Sequence, residues 1–286
     1  MKQANRKQTY LSGAAWAITV LAYGYLGYRL YIYDGWTELG NHLSKADTAA
    51  WLCGLLALLL MPVNMLLEAW RWQFLMGDLS LREAQRQVYF SKMAGQLTPY
   101  QLGEYPARGL LMEHGRWAEL LSKGVVGSMT MTLAITLVGI LPLAVWLSDG
   151  RWRPEWMTVV GLMLAVVALT AALPWLLRRW IRVDSRLLMG SLGQSVVRYL
   201  CWCLQLALVL RLFGMPFSTE WLVLIPVYYL IITIAPSIAA AEAGVRGAAA
   251  MLVFGTAEAT LAGILLWAIN SLLPMLIGTF VNKNAK

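Results

Sequence analysis

The residues of this chain best suited to chemistry come in two copies of one short pattern. Glu104 and Arg108 lie in TPYQLGEYPARGLL, and Glu242 and Arg246 lie in APSIAAAEAGVRGAAA. Each string has a Pro, a Glu five or six residues on, an Arg four residues after the Glu, and then Gly. A Glu and an Arg at i and i+4 share one face of a helix, which leaves two readings open. Each pair neutralises itself and stitches its own segment together, or each guanidinium is held ready for an anion such as phosphate. Thr98 and Gln101 flank the first pair with polar atoms for such an anion or for unwound backbone. Asn64, Glu68 and Arg71, in NMLLEAWRW, close a preceding apolar run; they suit an interfacial salt bridge or a contact to the same ligand. Pro99 and Pro236 stop incoming helices, Pro106 suits the first turn of an outgoing one, and Gly244 loosens the second copy. Two helix N-termini would then add their positive ends to the guanidinium groups.

Other constellations are absent. The chain has no HExxH, no Gly-rich phosphate loop, no Ser elbow and no paired Asp motif, and His42 and His114 stand alone. No catalytic residue, metal or cofactor is therefore expected, although Glu104 as a base keeps a lipid-modifying enzyme open. Cys53, Cys201 and Cys203 all sit in apolar runs and read as core or lipid-facing side chains.

The elements that must position these residues belong to a bilayer. Apolar residues make up 59% of 286 positions and charged ones only 13%, with 14 Trp. A crossing takes about 20 apolar residues, and suitable runs occur at about 11–33, 48–69, 122–147, 157–177, 191–212 and 259–281. The first, after Lys2, Arg6 and Lys7, is too long for a signal peptide and reads as an uncleaved helix. Two further segments, about 80–117 and 220–257, are interrupted by Pro and Gly and carry the two Glu/Arg pairs. With the N-terminus inside, one face collects Arg71, Arg82, Arg86, Lys92, Arg116, Lys123 and the Arg178 to Arg186 group, and the other only Lys45, Arg151 and Arg153. That bias places both termini in the cytoplasm. It also accounts for the net charge of +8 without nucleic acid as a partner.

Six crossings with both ends inside require each interrupted segment to return to the face it left. The fold expected is thus all-α and polytopic, a single transmembrane domain over 1–286 with six spans and two re-entrant helical hairpins. The unit of span, hairpin and span recurs at about 48–147 and 191–281 with reversed orientation, an inverted repeat with the Glu/Arg pairs as symmetry mates. Gln194, Gln205 and Asn270 read as hydrogen bonders between spans.

NMLLEAWRW, LTPYQLGEYPARGLL and PSIAAAEAGVRGAA together resemble the lysylphosphatidylglycerol synthase transmembrane region family, also called flippase-like. Pro99, Gly103, Glu104 and Arg108 match its middle motif, and Gly244 and Arg246 its late one; Gly247 stands where the family commonly has Glu. The resemblance implies a stand-alone member without the synthase domain, in a bacterial inner membrane, moving a phosphate-bearing lipid between leaflets through a cavity between the repeats. Arg108 and Arg246 would hold the headgroup, with Glu104 and Glu242 balancing them. A headgroup transferase and a non-transporting scaffold for a lipid-synthesis enzyme are the alternatives, and a second copy of the chain is a further candidate partner.

Overall fold

The computed structural model describes residues 36–44, 46–95, 103–111, 116–148, 184–235 and 239–281, together with the isolated helical residue 168. The described residues form helices joined by short turns, without strands. After a short α1 (Trp36–Ser44) come a long α2 (Thr48–Met76), the shorter α3 (Leu81–Gly95) and α4 (Glu104–Gly109), and a long α5 (Trp117–Ser148). The second half repeats the order: long α6 (Ser185–Leu212), shorter α7 (Trp221–Ile234) and α8 (Ala239–Phe254), then α9 (Ala257–Trp267), continued through a π-turn (Ala268–Leu272) into α10 (Leu273–Phe280).

Four of these helices, Thr48–Met76, Trp117–Leu147, Ser185–Leu212 and Ala257–Phe280, are long and apolar enough to cross a membrane. They cover the expected spans at 48–69, 122–147, 191–212 and 259–281. The expected span at 11–33 lies outside the described residues, and so does that at 157–177 apart from residue 168. Side chains are distributed as a bilayer solvent demands: Trp51, Leu55, Leu59, Leu141, Val145, Leu200 and Leu204 face outward, while Glu68, Arg71, Arg108 and Arg198 are buried. Such an apolar exterior around a charged interior is the reverse of a water-soluble surface.

Local signals start and stop the long helices. Asp47 caps α2 by accepting the Ala50 N–H at 2.6 Å, and Gly77 ends it in the left-handed region at φ 84°. The same device recurs in the second half. Asp184 caps α6 by accepting the Arg186 N–H, and Gly214 follows its end at φ 85°. The Ala50 N–H and then Arg211 hold the exposed Asp47 carboxyl below its ordinary value. Its contribution to stability is thus present above the ordinary carboxylate pKa and is lost as pH falls through the lowered one. The π-turn precedes Pro274, which has no N–H to give the preceding turn.

Packing crosses between the halves. The first long helices, α2 and α6, pack on each other more extensively than any other pair. The first short helix of each half docks on the last long helix of the other: α3 on α10, and α7 on α5. Both crossings close on glycine. A Cβ on Gly278 of α10 would lie 2.1 Å from the Tyr89 carbonyl of α3, and one on Gly139 of α5 would lie 3.3 Å from the Pro226 carbonyl of α7. Small residues let helix backbones meet where lipid supplies no hydrophobic drive for association.

Candidate functional site

The α2–α6 seam carries a polar line through the bundle. On α2, Asn64, Glu68, Arg71 and Trp72 recur at helical spacing and so share one face; on α6, Ser191, Ser195, Arg198 and Trp202 do the same. Glu68 is the centre. Its Oε2 accepts Arg71 Nη2 at 2.5 Å and Arg198 Nη1 at 2.6 Å, and its Oε1 accepts Arg108 Nη2 at 2.8 Å. One carboxylate thereby joins α2, α4 and α6. A second carboxylate extends the cluster, since Glu104 accepts Arg108 Nη2 at 3.2 Å and Lys92 Nζ at 2.5 Å.

Neutral partners complete the network. Arg71 Nη1 donates to the Gly127 carbonyl at 2.8 Å and to Ser195 Oγ at 2.9 Å, and Ser195 donates on to Thr130. Arg198 Nε and Trp202 Nε1 both donate to Asn64 Oδ1 at 2.8 Å. The π-turn brings in Asn270, which accepts from Asn64 at 3.4 Å and donates to Gln205 at 2.7 Å. Gln205 and Asn270 thus bond between helices as expected. Ionised groups in such surroundings need this density of partners, because several kcal/mol of lost hydration must be offset for each ion.

Aromatic faces and glycines hold the guanidinium groups in place. Arg108 lies 4.7 Å from the Trp72 ring centroid and 5.3 Å from that of Tyr105, and Arg198 lies 4.9 Å from Trp202. Trp72 is itself fixed by donating to Gln87 Oε1 at 2.7 Å. Gly95 makes room for Glu104, whose Cγ would lie 2.5 Å from an added Cβ, and Gly124 does the same for the Tyr105 ring. Arg108→Lys keeps the charge and loses both the planar stack and the forked donors. We expect a folded protein with a lower melting midpoint, by about 1–3 kcal/mol in stability, measured by fluorescence melting in detergent.

The sequence-derived candidates fall into three groups. Glu104 and Arg108 join Asn64, Glu68 and Arg71, which are only 1%, 3% and 3% exposed, so these last three form the heart of the bundle and not an interfacial bridge. Glu242 and Arg246 form a second ion pair on α8, with Arg246 Nη2 donating to Glu242 Oε1 at 2.7 Å. Arg108 and Arg246 therefore sit in separate ion-pair groups. Thr98 and Gln101, like Pro99 and Pro236, lie outside the described residues. Gly244 is an ordinary helical residue within α8, so it does not loosen a tip there. The repeated Arg-Gly has a packing cause: a Cβ on Gly109 would lie 2.9 Å from Trp117 at the start of α5, and one on Gly247 would lie 3.1 Å from Ile264 of α9.

Lys92 and Arg198 complete the cluster from outside the motifs. Lys92, which charge bias alone groups with the basic residues that set topology, is buried against Glu104. Arg198 interrupts the apolar run at 191–212, and an ionisable residue at that depth was the available signal. The chain matches no protein-family model and no curated protein.

Proposed function

We propose that this protein is a lipid translocase of the flippase-like kind, and that the ionic cluster around Glu68 receives the phosphate of the lipid head. The observation that carries this reading is the cluster itself: Arg71, Arg108, Arg198 and Lys92 converge inside a membrane bundle at the seam of its two halves. Buried charge at membrane depth is costly and marks a pathway for polar cargo more often than a scaffold. Guanidinium groups suit phosphate because their planar forks match its oxygens.

The reading includes six spans, with α3–α4 and α7–α8 as re-entrant hairpins of opposite sense. Several features favour inverted repeats over 48–147 and 191–281: the recurring order of long and short helices, the Asp caps at 47 and 184, and the exchanged docking of α3 on α10 and α7 on α5 through Gly278 and Gly139. Rocking of one half against the other would expose the cluster to each leaflet in turn. The second pair, Glu242 and Arg246, is a secondary contact for the head in the opposite half. A bacterial inner-membrane location with both termini cytoplasmic completes the proposal.

Reconstitution into phosphatidylcholine vesicles with a headgroup-labelled phospholipid tests it. Transbilayer movement without chemical change is expected from the intact protein, with a loss of about tenfold or more in Arg108→Gln. A modified lipid product would favour a headgroup transferase. Neither movement nor product, with a lipid-synthesis enzyme co-purifying, would favour a scaffold.

A further inference from the structure

The charge balance of the cluster reaches past the identification of an anion to the kind of anion. Among the described residues it holds four cations, Arg71, Lys92, Arg108 and Arg198, against two carboxylates, Glu68 and Glu104. Two positive charges are left over, and all six side chains are buried. The Gly127 carbonyl and the Asn64 side chain offset part of this with dipoles, and the rings of Trp72 and Tyr105 add more, but none of them carries net charge. A second feature points the same way. Arg71 Nε is buried with no hydrogen-bond partner, although every other polar atom of that guanidinium is engaged. Arg71 lines a gap shared with Glu68, Trp72, Tyr105 and Arg108. The gap is too narrow to admit water, so binding an anion there requires its lining to open.

We propose that the ligand of this cluster carries two negative charges on one terminal phosphate, a phosphate monoester, in preference to a phosphodiester head of single charge or a zwitterion. This rests on the anion-binding reading above and narrows it. A monoester offers three terminal oxygens and, above its second ionisation near pH 6, a charge close to −2. That matches the surplus and supplies an acceptor for Arg71 Nε. A diester leaves one charge uncompensated in a medium that screens poorly, and a zwitterion brings an ammonium group toward four cations.

The test uses the full chain in phosphatidylcholine nanodiscs at pH 8, doped with one guest at a time: phosphatidic acid, phosphatidylglycerol or phosphatidylethanolamine. Lipid retained by the protein is read by native mass spectrometry, with inorganic phosphate as a soluble competitor. Phosphatidic acid should be retained about tenfold or more over phosphatidylglycerol. Arg71→Gln should narrow that ratio severalfold, which separates the cluster from basic residues at the surface. Displacement by inorganic phosphate would support the same dianion chemistry and show that the head suffices without its chains. Equal retention of phosphatidic acid and phosphatidylglycerol, both above phosphatidylethanolamine, would overturn the double-charge inference and leave the anion site standing. A folded Arg71→Gln protein with an unchanged ratio would also overturn it. No preference for any anionic lipid and no competition by phosphate would remove both readings; should Arg71→Gln fail to fold, the wild-type ratio alone decides.

Discussion

Glu68→Ala destabilises the protein more than any other single truncation in the bundle, by about 3–5 kcal/mol. The reason is the sharing of one carboxylate by Arg71, Arg108 and Arg198. Removing it leaves three buried guanidinium groups facing one another, with only Glu104 still paired to one of them. The loss is an uncompensated charge more than a lost contact, so Glu68→Gln, which keeps the shape, recovers little. Simultaneous replacement of Glu68 and Arg198 is predicted to be milder than Glu68→Ala alone, because it removes a repelling charge together with its partner. Melting midpoints in detergent, with the double mutant beside both singles, check this ordering. A Glu68→Ala protein as stable as the parent would show that the cluster is not held by its carboxylate.

Gly278→Ala is the second large effect, and its cause is backbone geometry. The added methyl would lie 2.1 Å from the Tyr89 carbonyl, and neither that carbonyl nor α10 can move without disturbing its own helix. Overpacking of this kind costs about 1–3 kcal/mol, and more where backbone meets backbone. The reciprocal change, Gly139→Ala, meets the Pro226 carbonyl at 3.3 Å and needs only a small shift. Gly244→Ala points into open space and replaces a poor helix former with a good one. The expected order of melting midpoints is Gly244→Ala highest, then Gly139→Ala, then Gly278→Ala. An equal effect from all three would mean that α3 and α10 do not meet at this distance.

The helical class and four of the spans are legible because hydropathy is local. The spans containing Trp51 to Leu66 and Val197 to Leu210 announce themselves by apolar length, whereas the caps at Asp47 and Asp184 emerge only from the structure. The charged pairs were visible as anomalies in oily surroundings. What they bind to was not, because Glu68, Arg108 and Arg198 are far apart in the chain and meet only through the packing of α2, α4 and α6. Lys92 was misplaced for a related reason. It lies on α3, a helix of mixed polarity, and basic residues near span ends look alike whether they face headgroups or turn inward to a carboxylate. The i and i+4 spacing of Glu104 with Arg108 predicted their contact and could not predict that each would take a second partner from another helix. Nor could sequence tell that the Gly after each Arg serves the approach of the next long helix, which depends on Trp117 and Ile264.

The central claim, that a lipid phosphate enters the bundle at the Glu68 cluster, is tested most directly by photocrosslinking. A phospholipid with a photoreactive group on its head is activated in vesicles containing the protein, and the modified peptides are mapped. Labelling concentrated on the segments around Asn64 to Trp72, Glu104 to Arg108 and Ser195 to Trp202, and competed by unlabelled phosphatidic acid, is the predicted result. Labelling confined to outward residues such as Leu55, Leu59 and Leu200, with none at the cluster, would contradict it.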